Sequence, residues 1–273
     1  MDAHELREVL DFAVDAARQA GDLTLRYFSP DTPFERKSDN SPVTIADRAA
    51  EQLLRERIGR RFPTHGVLGE EFGEQPGRSR ARWILDPIDG TFSFICGVPL
   101  FGVLVGFESD GRMLAGVAHF PALRETTYAA RGLGCRWQRG DEPPRTARVS
   151  GVADLSAARL MHTGVKNMHA HGRWAALERL RDAVQVDRSW CDAYGYLLVA
   201  TGRAEIALDP IMNIWDNAAL APILTEAGGT FTDWSGRATH TAPEALATNG
   251  LLFEPTLRLV RECAEPQPRN TPR

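Results

Sequence analysis

Residues 83–91, with the sequence WILDPIDGT, constrain the fold more than any other part of this chain. The first residues are apolar and aromatic, which is typical of a buried strand. Pro87 lacks a backbone donor, and Gly90 tolerates the backbone of a tight turn. The predicted strand therefore ends in a turn that carries two carboxylates, Asp86 and Asp89.

After this turn, residues 91–95 are expected to begin a short helix. Two acids then stand at the carboxyl end of a strand and face the N-terminus of a helix. Carboxylate oxygens bind hard cations, and the first amides of a helix bind phosphate. The combination predicts metal-assisted phosphoryl chemistry. The alternative is a structural turn in which the acids only cap the helix.

The composition excludes several other classes of protein. The chain has 273 residues, of which 43% are apolar and 25% charged, as in an ordinary soluble globular protein. The net charge of −4 provides no basic field, so we predict no nucleic-acid partner. The most apolar run, residues 92–107, is interrupted by Pro99 and by glycines, so we predict no membrane span.

The cysteines and the N-terminus bear on the compartment. The four cysteines lack the C-x-x-C spacing of a zinc site, and we interpret them as reduced thiols. The first residues are acidic and pass directly into a helical pattern, so they do not resemble a signal peptide. We therefore predict a cytoplasmic protein.

The first part of the chain begins with two predicted helices. Apolar residues recur at helical spacing over residues 6–28. The polar residues 34–42 are expected to form a mobile loop or a loose hairpin. Thr44 and Asp47 have the spacing of a capping box, which predicts a second helix that runs to about Phe62.

Strands are predicted to follow these helices. Residues 67–69 predict a short strand that leads into Glu70 and Glu71. A polar link over residues 73–80 precedes the buried strand. From residue 100 onward, apolar residues recur at about every second position, which is typical of strands. Asp110 and Gly111 are a hairpin signal. The strands of this meander are predicted at residues 100–107, 113–120, 125–130 and 135–138.

A polar, proline-containing stretch over residues 140–151 suggests a boundary. We predict an N-terminal α+β half over residues 1–145, a C-terminal α/β half over residues 146–264 and a disordered tail over residues 265–273. In the second half, strands are predicted at residues 159–162, 184–189, 204–208 and 230–232, and helices at residues 174–183, 193–201 and 216–226.

Acidic residues recur at the ends of the predicted elements. Each acid alone is compatible with a helix cap, and this alternative is strongest for Asp47 and Asp216. Together they would repel one another unless cations lay between them. Mg²⁺ suits ligands that are all oxygen and a phosphate substrate. These acids are Asp47, Glu70, Glu71, Asp86, Asp89 and Asp216.

Three separated motifs resemble the signatures of the inositol monophosphatase family. They are the pair Glu70 and Glu71, residues 86–91 (DPIDGT), and the pair Trp215 and Asp216 followed by residues 226–229 (EAGG). They occur in the family's order, and the resemblance covers roughly residues 6–264. It implies a layered α-β-α-β-α sandwich of the inositol monophosphatase and fructose-bisphosphatase type, a homodimer, and several Mg²⁺ ions between the two halves.

The resemblance also implies a set of metal ligands. Glu70, Asp86 and the Ile88 carbonyl would hold one Mg²⁺. Asp86, Asp89 and Asp216 would hold a second ion. Glu70 would hold a third, weakly bound ion through a water, and we count it among the catalytic residues.

Other residues acquire catalytic or binding roles from the same resemblance. Asp47 and Thr91 would orient and help to deprotonate the attacking water. The amides of Gly90 and Thr91 would hold the phosphate at the helix N-terminus. Lys37 would lie near the site in the mobile loop. Asp216 would face the substrate as well as the metal.

The substrate is predicted from a narrower similarity. Residues 188–196 (RSWCDAYGY), residues 200–205 and the pair Asp209 and Pro210 are similar to the histidinol-phosphate phosphatase branch. Cys191 departs from the glycine that is common there. Asp192 and Asp209 would pair with the ammonium and imidazole groups of L-histidinol phosphate.

Three alternatives stay open at this point. Asp192 is also compatible with an N-cap of the helix that follows it. The substrate would alternatively be inositol 1-phosphate or a related polyol phosphate. A non-catalytic phosphate-binding protein is the third possibility, and it would be expected to lack a ligand or Thr91.

Overall fold

The computed structural model describes residues 1–38, 40–190 and 192–261. Its helices are α1 (Ala3–Leu25), α2 (Ile45–Arg61), α3 (Thr91–Ile95), α4 (Val165–Ala170), α5 (Trp174–Ala183), α6 (Ala193–Ala200), α7 (Ile214–Glu226) and α8 (Phe253–Arg261). Two 3₁₀ turns span Pro121–Leu123 and Leu155–Ala157.

The strands form a hairpin and two larger sheets. In chain order they are β1 (Phe34–Arg36), β2 (Pro42–Thr44), β3 (Gly66–Gly69), β4 (Gly73–Gln75), β5 (Ala81–Asp89), β6 (Gly102–Ser109), β7 (Arg112–Phe120), β8 (Glu125–Ala130), β9 (Gly134–Arg139), β10 (Arg145–Thr146), β11 (Arg159–His162), β12 (Val186–Arg188), β13 (Ile206–Asp209), β14 (Thr230–Thr232) and β15 (Ala245–Thr248).

Within the described residues, the larger sheet has eight strands in the order β10-β9-β8-β7-β6-β5-β3-β4. The pair β3 and β5 is parallel, whereas the other neighbours are antiparallel. The second sheet has five strands in the order β12-β11-β13-β15-β14, with β11 parallel to β12 and to β13. Because β3 and β5 are parallel, their carboxyl ends lie at the same edge of the sheet.

The helices and sheets alternate in five layers. Helices α1 and α2 cover one face of the eight-stranded sheet, and α6 and α7 lie between the two sheets. Helices α5 and α8 pack together over the far face of the five-stranded sheet. This arrangement confirms the predicted layered sandwich. No described helix combines the length and the apolarity that a membrane span requires.

Two glycines bring α7 unusually close to the larger sheet. Gly106 and Gly116 face each other across β6 and β7. A Cβ on Gly116 would lie 2.1 Å from the Ala219 carbonyl oxygen, and one on Gly106 would lie 2.8 Å from the Ala218 Cβ. The glycines therefore let the helix that begins near Asp216 rest directly on the strands behind the predicted site.

Most sequence predictions for the first half are confirmed. The helix α1, the hairpin β1–β2, the capping box of Thr44 with Asp47 and the four-stranded meander all occur. The turn at Asp110 and Gly111 has φ values of 51° and 73°, as a two-residue hairpin requires. Residues 73–80 were expected to be only a polar link, but they include β4.

The second half contains elements that the pattern did not indicate. The predicted strands and helices there occur, and the structure adds α4, β15 and α8. The strands of the larger sheet come from residues 66–146 and those of the smaller sheet from residues 159–248. The division into halves at residue 145 stays a prediction, and the predicted disorder of residues 265–273 falls outside the described residues.

The close approach of α7 predicts a measurable asymmetry between two glycines. Gly116→Ala should destabilise the fold by about 1–3 kcal/mol, because the added methyl would collide with the Ala219 backbone. Gly59→Ala, in α2 with open space around it, should stabilise by about 0.5–1 kcal/mol. Urea unfolding of both variants measures the difference. Equal stabilities would contradict the packing.

Candidate active site

The end of β5 presents the two acids of the central stretch. The Asp86 Oδ1 atom accepts a hydrogen bond from the Ile88 amide at 3.0 Å. The Asp89 Oδ2 atom accepts one from the Ala193 amide, at the start of α6, at 2.8 Å. The neighbouring strand β3 ends at the same edge, where the Glu70 amide donates to the Leu85 carbonyl at 3.2 Å.

Asp216 reaches the same place from the first turn of α7. Its Oδ2 atom accepts a hydrogen bond from the Asn213 amide at 2.6 Å, as part of a capping box. Oxygen atoms of Asp86, Asp89 and Asp216 all lie within 4.8 Å of one another. Asp216 therefore caps a helix and also belongs to an acidic cluster.

The cluster is electrostatically strained without a proton or a cation. Burial, and then the nearby charge of Glu70, raise the pKa of Asp86 well above its usual value. Burial and the charge of Asp192 do the same to the pKa of Asp89. Burial raises the pKa of Asp216 to about 7, and its carboxyl group lies within hydrogen-bonding reach of Asp86. Each group alone would stay ionised at neutral pH in water.

The donor set of the cluster fits Mg²⁺. Its atoms are carboxylate oxygens that converge within one ion's reach, and Mg²⁺ prefers oxygen ligands. Glu70 and Ile88, which carry the other predicted ligands, line the same cleft. The carbonyl of Ile88 is the predicted donor. It accepts a hydrogen bond from the Thr91 hydroxyl at 3.1 Å. A bound cation would offset both causes of the three raised pKa values, namely the burial of the carboxylates and the repulsion from nearby acids.

The turn after the cluster requires glycine. Gly90 has a φ of 81°, in the left-handed region, and it is the N-cap of α3. A Cβ at this position would lie 2.9 Å from the Leu100 carbonyl and 3.0 Å from the Asp192 Oδ2 atom. Both Gly90 and Thr91 line the cleft beside the acidic cluster. The predicted phosphate position is therefore adjacent to the predicted metal position.

The cleft has a volume of about 180 Å³. It brings together most of the residues that the sequence predicted for metal, phosphate and substrate, namely Glu70, Asp86, Ile88, Asp89, Gly90, Thr91, Asp192, Asp209 and Asp216. Sequence reasoning assigned no site role to the residues that complete its wall, namely Ser41, Pro42, Phe92, Ala193, Tyr196, Ile211, Met212, Asn213 and Trp215.

Asp47 lies outside the cleft lining, at the start of α2. It is 1% exposed, and its Oδ2 atom accepts hydrogen bonds from the Thr44 amide at 2.8 Å and the Thr44 hydroxyl at 2.6 Å. Burial raises its pKa to about 6, and the charge of Glu70 adds to the rise. The structure establishes its capping role, and its part in activating water stays a proposal.

Lys37 reaches the site from the turn between β1 and β2. Its Nζ atom lies 2.7 Å from the Glu70 Oε1 atom and 2.6 Å from the Glu71 Oε1 atom. Burial lowers the pKa of Lys37, but the two carboxylates outweigh this effect and raise it above its ordinary value. The lysine is therefore a fixed cation that neutralises part of the acidic edge.

Glu51 is a supporting residue that the sequence analysis missed. It is fully buried in α2 and accepts hydrogen bonds from the Glu71 and Phe72 amides at 2.7 and 3.2 Å. A Cβ on Gly69 would lie only 2.1 Å from its carboxylate. Glu51 therefore holds the turn that presents Glu70. Its position four residues after the buried Asp47, on the buried face of the helix, was the available signal.

Two further acids line the cleft beside the cluster. Asp209, at the end of β13, accepts a hydrogen bond from the Ile211 amide at 3.0 Å, and burial raises its pKa well above the usual value. Asp192 precedes α6 but makes no side-chain capping hydrogen bond, and burial raises its pKa too. The carboxylate of Asp192 is therefore not used as the helix cap that was its alternative interpretation.

Comparisons with known proteins agree with this geometry. The sequence profile of the inositol monophosphatase family matches residues 5–265. A histidinol-phosphatase of Chlorobaculum parvum is 44% identical over 84% of this chain and 86% of its own length. One from Mycobacterium tuberculosis is 39% identical over 91% of this chain and 96% of its own length. A solved structure of the Thermotoga maritima IMPase is 29% identical, with a TM-score of 0.84, over 94% of this chain and 98% of that one.

The raised pKa values predict a pH-dependent response to Mg²⁺. An acid whose pKa is raised by folding destabilises the metal-free protein increasingly as pH rises from about 4 through the folded pKa. Mg²⁺ competes with the protons on the cluster, of which Asp216 has a pKa of about 7. Its stabilising effect should grow by about 1.4 kcal/mol per pH unit for each proton displaced.

Thermal unfolding at pH 6 and at pH 8 measures this effect. At each pH the Tm is compared between protein in EDTA and protein in about 5–10 mM Mg²⁺, a concentration chosen to saturate the site. The difference in Tm should be larger at pH 8. The Asp216→Asn variant should show a flatter dependence. A wild-type Tm difference that is the same at both pH values would contradict the cluster's role.

Proposed function

Because this chain belongs to the inositol monophosphatase family and is a phosphomonoesterase, we propose that it hydrolyses L-histidinol phosphate to L-histidinol and phosphate with Mg²⁺. The observation that carries the choice of substrate is the pair Asp192 and Asp209 in the cleft. These carboxylates are additional to the acidic cluster of Asp86, Asp89 and Asp216. A cationic group beside these buried acids would favour their ionised forms, so the pair favours a substrate that carries positive charge.

Histidinol phosphate suits these two acids better than a polyol phosphate does. It offers an ammonium group and a protonatable imidazole, whereas inositol phosphate offers only hydroxyl groups beside its phosphate. Charge-assisted hydrogen bonds to Asp192 and Asp209 would be about twice as strong as neutral ones. The names of the relatives from Chlorobaculum parvum and Mycobacterium tuberculosis support the same substrate.

The metal ligands of this proposal are the acidic cluster, the Ile88 carbonyl and Glu70. Mg²⁺ bound there would lower the pKa of a coordinated water and offset the charge of the phosphate oxygens. Glu70 is preset for this role by the buried Glu51, which holds the turn behind it. Lys37 keeps the charge of Glu70 and Glu71 partly balanced while the substrate approaches.

The remaining residues would bind the phosphate and manage the proton of the attacking water. Gly90 and Thr91 lie where the N-terminus of α3 meets the cleft, so their amides would hold the phosphate. The Thr91 hydroxyl donates to the Ile88 carbonyl and would accept a hydrogen bond from the water. Asp47, with a pKa of about 6, is a group able to hold a proton near neutral pH.

A second candidate is a phosphatase for inositol 1-phosphate or a related polyol phosphate. The observation in its favour is the structural similarity to the Thermotoga maritima IMPase. Both candidates would use the same metal and phosphate positions. They differ only in which alcohol group, histidinol or inositol, the cleft binds. We further propose that the protein is a homodimer, as the family resemblance implies, and that it acts in the cytoplasm, as the spacing of its cysteines favours.

The metal role of Asp89 predicts a loss of turnover without a loss of fold. Asp89→Asn removes one ligand charge, and kcat should fall by about 10³-fold or more because transition-state charge is no longer offset. Circular dichroism should show that the variant is folded. Asp22→Asn, an exposed acid on α1, is the control and should keep full activity. Retained turnover in Asp89→Asn would contradict the metal proposal.

The substrate choice predicts a difference between two esters in phosphate release with Mg²⁺. The kcat/KM for L-histidinol phosphate should exceed that for inositol 1-phosphate by about 10²-fold or more. Asp209→Asn should raise KM for histidinol phosphate by about tenfold, and change that for inositol phosphate much less. Equal effects on both esters would contradict the role of Asp209. A preference for inositol phosphate would favour the second candidate. Release of phosphate from neither ester would contradict both candidate substrates.

A further inference from the structure

A buried carboxylate lies behind the cleft, where the proposed chemistry does not use it. Glu125, on β8, is 2% exposed. It accepts hydrogen bonds from Trp137 Nε1 at 2.5 Å, from Arg203 Nη2 at 2.5 Å and from the Tyr194 hydroxyl at 3.2 Å. A buried charge with one cation and two further donors is well satisfied, so it can define geometry.

The partners of Glu125 hold both ends of α6. Tyr194 lies in the first turn of this helix, and Arg203 follows its last turn. The Arg203 guanidinium stacks 4.6 Å from the centre of the Trp137 ring, and its Nε atom donates to the Thr201 hydroxyl at 2.8 Å. Because one carboxylate is bonded to residues at both ends, it fixes the helix along its own axis.

The start of α6 in turn holds a residue of the acidic cluster. Ala193, next to Tyr194, donates its amide hydrogen to the Asp89 Oδ2 atom at 2.8 Å. A shift of the helix would therefore move a donor that orients Asp89. The same shift would move Asp192, which immediately precedes the helix and lines the cleft.

A second path of contacts joins Tyr194 to Asp89. The Tyr194 ring packs edge-on against Phe120, with ring centres 5.1 Å apart. The Phe120 ring lies so close to Gly102 that a Cβ there would be 2.9 Å away. Gly102 is the strand partner of Asp89 across β5 and β6. Tyr194 is therefore connected to Asp89 in two ways, through Ala193 of helix α6 and through Phe120 and Gly102 of the larger sheet.

We propose that Glu125, Tyr194 and Arg203 form a positioning network that sets α6 and thereby orients Asp89 toward the metal and Asp192 toward the substrate. None of the three residues lines the cleft, so they are positioning residues. The inference rests on the proposed metal role of Asp89. It assigns a task to the tyrosine and arginine of the segments 188–196 and 200–205, beyond the acids considered so far.

Tyr194→Phe is the sharpest test of this network. It removes only the hydroxyl and leaves Glu125 with Trp137 and Arg203, so the protein should fold. Isothermal titration calorimetry with Mg²⁺, in the absence of substrate, should show binding about tenfold weaker than in the wild type, the usual loss when a ligand's support is removed. The Tm of the metal-free protein should change little.

Arg145→Met is the matched control. The Arg145 guanidinium lies 4.0 Å from the centre of the same Trp137 ring, and its strand β10 pairs with β9 rather than with α6. This variant should bind Mg²⁺ as the wild type does. Arg203→Met should weaken binding, and Arg203→Lys, which keeps a cation, should recover part of the loss.

Three outcomes would overturn the proposal in different ways. If Asp89→Asn weakens Mg²⁺ binding but Tyr194→Phe and Arg203→Met do not, the network has no positioning role and the metal proposal stands. If Asp89→Asn binds Mg²⁺ as the wild type does, the metal role of Asp89 fails, and the network's proposed purpose fails with it. A lower Tm with unchanged Mg²⁺ affinity would show that the network is only structural.

Discussion

The mutual repulsion of buried carboxylates is the constraint on which the rest of this structure depends. Oxygen atoms of Asp86, Asp89 and Asp216 lie within 4.8 Å of one another, and the first two residues are buried whereas Asp216 is partly buried. Such a cluster needs a proton or a cation between its members and a rigid frame that stops them from separating. The backbone amides of Ile88, Ala193 and Asn213 supply part of that frame.

The layered fold supplies the rest of the frame. Strands β3 and β5 are parallel, so their acidic ends lie at one edge of the sheet. The paired glycines of β6 and β7 let α7 pack closely on the sheet, which places Asp216 near that edge. Outside the cluster, buried charges are paired or hydrogen-bonded, as with Glu51 under the turn of Glu70 and Glu125 behind α6. Asp86, Asp89 and Asp216 are thus the acids that could hold a cation, whereas Glu51 and Glu125 are hydrogen-bonded to segments that adjoin the cleft.

The sequence predicted what depends on local chemistry. The capping box at Thr44, the turn at Gly90 and the alternation of the meander are set by residues close in the chain, and all three occur. The short elements α4, α8 and β15 were missed because packing against distant partners, rather than a local pattern, stabilises them. Glu51 was missed for a related reason, since its amide partners lie about 20 residues away.

Anomalous diffraction from crystals soaked in Mn²⁺ would test the central claim most directly, because Mn²⁺ takes the same oxygen ligands as Mg²⁺ and its position can be observed. The account predicts a peak about 2.1–2.2 Å from carboxylate oxygens of Asp86, Asp89 and Asp216, beside the turn at Gly90. It also predicts that Asp89→Asn crystals lose or weaken that peak. Ordered Mn²⁺ bound only elsewhere, in crystals of protein that turns over its substrate, would contradict the account.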